Sequence, residues 1–126
     1  MYTFEYDTDY DPAMPNVDIT IVKPGTYEER TVVAVIDSGA DATFIPERLL
    51  KQLKISQTGW VSVRGVAGFS YRVPTYIALL KIQELPIGFV RVGGDQHSNH
   101  VILGRDVLNQ FIVTLNGLAN VVTLSD

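Results

Sequence analysis

From Val17 the chain reads "VDITIVKPG", with apolar and polar residues alternating up to a Pro24-Gly25 pair. Period two marks a strand with one buried face, and Pro-Gly marks the turn that ends it. The run "RTVVAVI" is then the returning strand of a hairpin, and its unbroken apolar centre predicts burial on both faces. "IPERLLKQL" predicts a short helix with Pro46 at its first position, where a missing N–H costs nothing. "GWVSVRGVAGFSYRVPTYIALLKI" alternates on either side of Gly65-Val66-Ala67-Gly68 and predicts two long strands joined as a projecting hairpin, with Trp60 in the core at the start of the first. "LPIGFVRVGG" predicts another strand and "HVILG" a buried one, while "RDVLNQF" has the three-to-four spacing of a short helix. The tail "IVTLNGLANVVTLSD" predicts a hairpin turning at Asn116-Gly117. Residues 1–16, rich in Asp, Tyr and Pro, show no period and read as an acidic N-terminal arm, loose or lying across the surface, ahead of one domain at 17–126. Strands dominate, so the fold class is mainly β, built of hairpins with two short helices.

Composition narrows the picture. A chain of 126 residues, 46% hydrophobic and 19% charged, suits a single globular domain with its own core. No apolar run approaches the ~18 residues of a membrane span, and the start lacks the basic and apolar regions of a signal peptide, so no membrane contact and a cytoplasmic location are expected. A net charge of -4 with scattered basic residues argues against nucleic acid as a partner. The absence of cysteine removes disulfides, thiol nucleophiles and thiolate zinc sites. His97 and His100 share a loop without a carboxylate at ligand spacing and read as polar loop residues, so no metal is expected. "GGDQ", Gly93 to Gln96, is too short for a phosphate loop and reads as a solvated turn.

The stretch "VVAVIDSGADATFIP" is the one that asks for chemistry. An aspartate at the end of an apolar strand loses solvation, so it is either paired or its proton affinity is put to use. Alone, "DSG" is most often a structural turn. Other segments change its weight. "VILGRDVL" is a second apolar strand running through Gly104 into a helix, and a glycine there lets it pass close to the Asp37 loop. Asp41 and Arg105 are placed to form a charge-assisted pair between loop and helix.

"DSGAD" at Asp37–Asp41, "GVAGF" at Gly65–Phe69 and "ILGRDVL" at Ile102–Leu108, in this order and spacing, resemble the retroviral-type aspartic protease family, the retropepsins, over roughly Val17 to Thr123. The resemblance implies a retropepsin-like acid-protease barrel with a flap, and Asp37, Ser38 and Gly39 as the catalytic set. It implies substrate contacts from Ala40, Asp41, Ala42, Gly65, Val66, Ala67, Gly68, Asn99, His100 and Ile102, with Gly104 and Arg105 as structural support. Ala42 would leave an apolar subsite. Ala67 departs from the family's frequent glycine, which implies a stiffer flap. Phe69 and Tyr71 fall at the flap's shoulder.

Aspartic proteolysis needs two carboxylates sharing one proton, and the chain has a single D-[ST]-G. A C2 homodimer with one Asp37 from each subunit is the economical solution. The expected activity is an aspartic endopeptidase, without cofactor, cutting extended peptide or protein segments with apolar residues at the cut. Two other readings stay open. One is a catalytically weak or inactive dimerisation and peptide-binding module; the other is a monomeric barrel for a small apolar ligand. The tail hairpin either joins the dimer interface or closes the subunit's own sheet, and the arm is a candidate lid over the site.

Overall fold

A computed structural model describes residues 1–126, except for the side chain of Val66. Among the described residues there are ten strands and two α-helices: β1 Tyr2–Glu5, β2 Asn16–Val22, β3 Glu29–Ile36, β4 Phe44–Pro46, α1 Glu47–Gln52, β5 Gln57–Arg64, β6 Ser70–Ile82, β7 Leu85–Asp95, β8 Val101–Leu103, α2 Arg105–Leu108, β9 Ile112–Asn116 and β10 Val121–Ser125.

The larger sheet runs β2-β3-β8-β4-β7-β6-β5, and a further pairing of β2 with β6 closes its first six strands into a barrel. β6 makes closure possible by its length. Along one edge its first half pairs with β5 and its later residues Leu79 to Lys81 pair with β2, while the other edge carries β7. The part of β6 before Thr75 pairs with β5 alone, so β5 and β6 together project beyond the barrel as a hairpin. Its tip is a short 3-10 turn, Val66–Gly68, in which Ala67 and Gly68 have φ of 67° and 79°. Glycine accepts that conformation freely, whereas an alanine there costs about 1 kcal/mol.

Period two places the core. Val17, Ile19 and Ile21 of β2 point inward and are fully buried, meeting Leu80 of β6, Val92 of β7 and Leu103 of β8 in one cluster. Thr20 is also buried, and its hydroxyl is satisfied by Thr31 across the pair at 2.7 Å. Leu49, Leu50 and Leu53 of the α1 turn cap one end of this core.

Several expectations are corrected. In β3 only Ala34 is fully buried and Val33 is 54% exposed, because no second layer covers the outer face of that strand. Pro46 ends β4 and caps α1 instead of occupying its first turn. Trp60 is half exposed, with the Arg72 guanidinium 4.9 Å from its ring centre. Gly93 and Gly94 are buried within β7, where side chains would collide with the rings of Phe44 and Tyr76. The tail is a hairpin, but it turns through Gly117–Asn120, with Asn120 at φ 55°, and not at Asn116-Gly117.

The first sixteen residues also carry structure. β1 pairs with β10, which pairs with β9, making a second, three-stranded sheet, and Phe4 is buried in the core. Asp7 and Met14 bridge to each other farther along, and Tyr10 sets its ring edge-on to His100. Among the described residues no helix is long and apolar enough to cross a membrane.

Candidate active site

β3 carries its apolar run to Ile36 and releases the chain into a tight turn at Asp37. The Asp37 N–H donates to the Leu103 carbonyl at 3.1 Å, which fixes the turn to β8, and the Ala40 N–H closes it onto the Asp37 carbonyl at 3.2 Å. Within the turn the Gly39 N–H donates to Asp37 Oδ1 at 2.9 Å. The carboxylate is half-buried and held by one backbone donor, with its second oxygen open to the groove beside it.

The loop after Asp37 is locked to the start of α2 by groups far apart in sequence. Arg105 donates its backbone N–H to the Ala40 carbonyl at 2.9 Å and Nη1 to the Ser38 carbonyl at 2.7 Å, and its Nη2 pairs with Asp41 Oδ1. Asp41 is almost fully solvated, so this ion pair adds little to stability by itself; the bonds from Arg105 to the Ser38 and Ala40 carbonyls are the ones that tie the loop to α2. One layer deeper, Asp106 accepts from the Thr43 N–H at 3.0 Å and the Thr43 hydroxyl at 2.8 Å, while that hydroxyl accepts from the Gly104 N–H at 3.2 Å. Thr43 is fully buried, so this closed set of bonds satisfies polar groups that water does not reach. Gly104 allows it: a Cβ there would lie 2.5 Å from the backbone of Ala42.

Two cavities meet over Asp37. One, of about 740 Å³, extends along the 39–42 loop beneath β5 as far as Thr75 and Arg91. The other, of about 680 Å³, runs beneath Tyr71–Val73 toward Gly94–Ser98 and Ile102. Asp37, Ala40, Phe44 and Tyr71 border both, so the two form one groove with the carboxylate at its centre and the β5–β6 hairpin above it.

The residues singled out from the sequence divide accordingly. Asp37 and Gly39 to Ala42 form the floor, Ile102 lines one arm and Gly65 the other. Ser38 is exposed, with its carbonyl held by Arg105. Ala67 and Gly68 form the hairpin tip outside the groove lining, and the Val66 side chain lies outside the described residues. Asn99 opens onto an adjoining depression of about 360 Å³ beside Glu47 and Lys51, which shares Asp95 to Ser98 with the second cavity. His100 faces the N-terminal segment, its Nε2 lying 3.4 Å from the Tyr10 hydroxyl, and is absent from the groove walls. Among the described residues no three His, Cys, Asp or Glu side chains gather as metal ligands do.

Phe44, Thr43, Asp106 and Arg91 were not singled out by sequence. Thr43 and Phe44 continue "DSGADA" directly, so a loop whose next strand must enter the barrel is the signal that could have found them. Asp106 and Arg91 carry no local signal, because their partners lie across the fold.

A family model described as "gag-polyprotein putative aspartyl protease" matches residues 24–110, which spans both the Asp37 turn and α2. No curated protein matches the chain. Solved structures share the fold. A retropepsin-like aspartic protease from Rickettsia conorii superposes with a TM-score of 0.66 at 10% identity, covering 98% of this chain and 88% of that one. The EIAV protease complexed with the inhibitor HBY-793 gives 0.62 at 19% identity, over 85% of this chain and 93% of that one. The retroviral protease-like domain of Ddi1 from Leishmania major gives 0.57 at 21% identity, over 90% and 89%. The mainly β barrel with two short helices is thus the retropepsin-like fold.

Proposed function

The chain belongs to the gag-polyprotein aspartyl protease family, and from that premise we propose that it is a homodimeric aspartic endopeptidase in which two subunits each contribute Asp37. The observation that carries this reading is the single open carboxylate at the centre of the groove. The other acids bordering it are held more fully: Asp41 by its ion pair with Arg105, and Asp95 by two backbone N–H groups, those of His97 and Ser98, against the one that Asp37 accepts from Gly39. One chain therefore offers half of a catalytic pair, and a two-fold axis beside Asp37 supplies the other half.

In such a pair the two carboxylates share one proton, because like charges in contact cannot both ionise. The ionised member takes a proton from a water held between them as the water oxygen bonds to the scissile carbonyl carbon. The protonated member gives its proton to the carbonyl oxygen. Collapse of the tetrahedral diol breaks the C–N bond: the carboxyl that took the water's proton gives it to the departing nitrogen, and a diol hydroxyl returns its proton to the other carboxylate, which restores the pair with one shared proton. The turn bonds of Gly39 and Arg105 keep Asp37 in place through this cycle, and Ser38 presents its hydroxyl toward the axis. The substrate is an extended peptide of about six to eight residues laid as an added strand between the floor and the β5–β6 hairpin, which serves as the flap. Apolar side chains fit beside the cut, where Phe44, Tyr71 and Ile102 form the walls.

Cleavage of a mixed peptide library, read by mass spectrometry, tests this. Wild-type protein is expected to cut and Asp37→Asn to be inactive while still dimeric. If the subunits exchange freely, an equal mixture holds only about one quarter of its dimers with both carboxylates, so activity per wild-type chain falls by about half. Activity that is unaffected by the added variant, or that persists in Asp37→Asn alone, would overturn the shared-aspartate reading. Dimers that bind peptide without cutting it would instead make the chain a peptide-binding module.

A further inference from the structure

The arm of the groove beneath β5 carries a charge that neither the fold nor the reaction uses, and its role as a substrate contact rests on the peptide-groove reading of the site. Along β7, Val90 and Val92 are buried, while Phe89, Arg91 and Gly93 share the opposite face. Gly93 on that face abuts the Phe44 ring beside Asp37, and Arg91, two residues away, reaches the end of the 740 Å³ cavity. Among the described residues Arg91 has no carboxylate partner, since the ion pairs are Glu47 with Lys51, Glu29 with Lys81 and Asp41 with Arg105. Its side chain makes no hydrogen bond there either, and it is exposed.

The rest of this arm favours an anion with an apolar stem. Ala42, Val61 and Val63 give it apolar walls. Asp41, the only acid besides Asp37 among the described lining residues, is already paired with Arg105. Arg64 of β5 borders the same cavity and, among the described residues, has no carboxylate partner either, so it adds to the positive field of this arm. The apolar subsite expected from Ala42 is therefore apolar along its sides and cationic at its end.

We propose that Arg91 gives the groove a preference for peptides with a glutamate or aspartate a few residues from the scissile bond, seated against Ala42 and Val61 with its carboxylate on the Arg91 guanidinium. A planar guanidinium binds a carboxylate through two parallel N–H donors, which a Gln side chain cannot match. Two-fold symmetry repeats the arm on the other side of the paired aspartates, so the preference appears at equivalent positions on both sides of the cut.

Binding to the Asp37→Asn protein tests this apart from catalysis. The probes are fluorescein-labelled apolar octapeptides carrying one Glu, Gln or Lys at successive positions from the centre, and affinity is read by anisotropy. At one such position, and at its mirror, the Glu peptide is expected to bind about three- to tenfold more tightly than the Gln peptide, with the advantage shrinking at high salt. Adding Arg91→Gln removes the advantage, and adding Arg91→Glu transfers it to the Lys peptide. Both substitutions are at an exposed position, and thermal melting confirms that the proteins compared are folded. Equal binding of Glu and Gln peptides, or an advantage that survives Arg91→Glu, overturns the proposal. Acid-selective binding without cleavage by the wild type would sink the protease reading and leave this one standing. Cleavage without acid selectivity does the reverse, and absence of binding by every probe overturns both.

Discussion

Gly104 supports the site by what it lacks. Its backbone is ordinary extended chain, φ -89° and ψ -177°, so its importance is one of space and not of conformation. An added methyl would press on the Ala42 carbonyl group at 2.5 Å, and backbone on both sides leaves nothing flexible to yield. Gly104→Ala is expected to destabilise the protein by about 3 kcal/mol, as read by urea denaturation, and to remove peptide cleavage by shifting the Asp37 loop. A small change in the denaturation midpoint would show that the backbones at 42 and 104 can separate at little cost. Asp37 and Gly104 were both legible in the sequence, because a carboxylate or a glycine at the end of an apolar run is conspicuous locally. Thr43 and Asp106 were not, since each looks like an ordinary loop or helix polar residue until the fold brings them together.

At the scale of elements, period and turn residues located the hairpins well, and errors arose where a neighbour outside the element decided. A two-residue turn at Asn116-Gly117 would pair Leu115 with Leu118 and leave Leu124 opposite the end of α2, beyond the reach of β9. Leu124 and Val122 are buried and β10 must also meet β1, so the register moves to Asn116 opposite Val121 and the loop lengthens. The helix α1 gives a pH prediction. Glu47 is held below the usual carboxylate range by its bond to Lys51 and, more weakly, to Gln96 of the loop after β7. Because the folded pKa is depressed, the stability it contributes is present above the unfolded value of 4.5 and is lost as pH falls through the lower folded value. Glu47→Gln should therefore melt slightly below wild type at neutral pH and level with it in strong acid. The effect is small because Lys51 is largely in solvent. A gap that stays constant with pH would show that packing of the Glu47 stem, and not its charge, is responsible.

For the whole molecule, the segment at 1–16 is the largest revision. Its strand β1 covers the edge of β10 and sends Phe4 into the core, so residues 2–5 and 112–125 share one sheet. Phe4→Ala is expected to cost about 3 kcal/mol, measured as a lower urea midpoint; a change near zero would mean that the segment is a detachable arm after all. The same sheet leaves β9 as an unpaired edge among the described residues, while closure of the barrel depends on β6 pairing with both β7 and β2.

What the sequence determined by itself was whatever short-range physics can carry: alternation that makes strands, turn residues that reverse them, and a lone aspartate between an apolar run and small residues. With the spacing of three short motifs, that was enough to indicate the barrel and the aspartate at the centre of its groove. Only the tertiary structure decided which apolar faces are covered, how the N-terminal segment is anchored, and which polar groups share a wall of the groove. The exposure of Val33, the bond from Thr43 to Asp106 and the freedom of Arg91 each depend on residues far away along the chain. Such neighbours are set by strand order and register, and no local period encodes them.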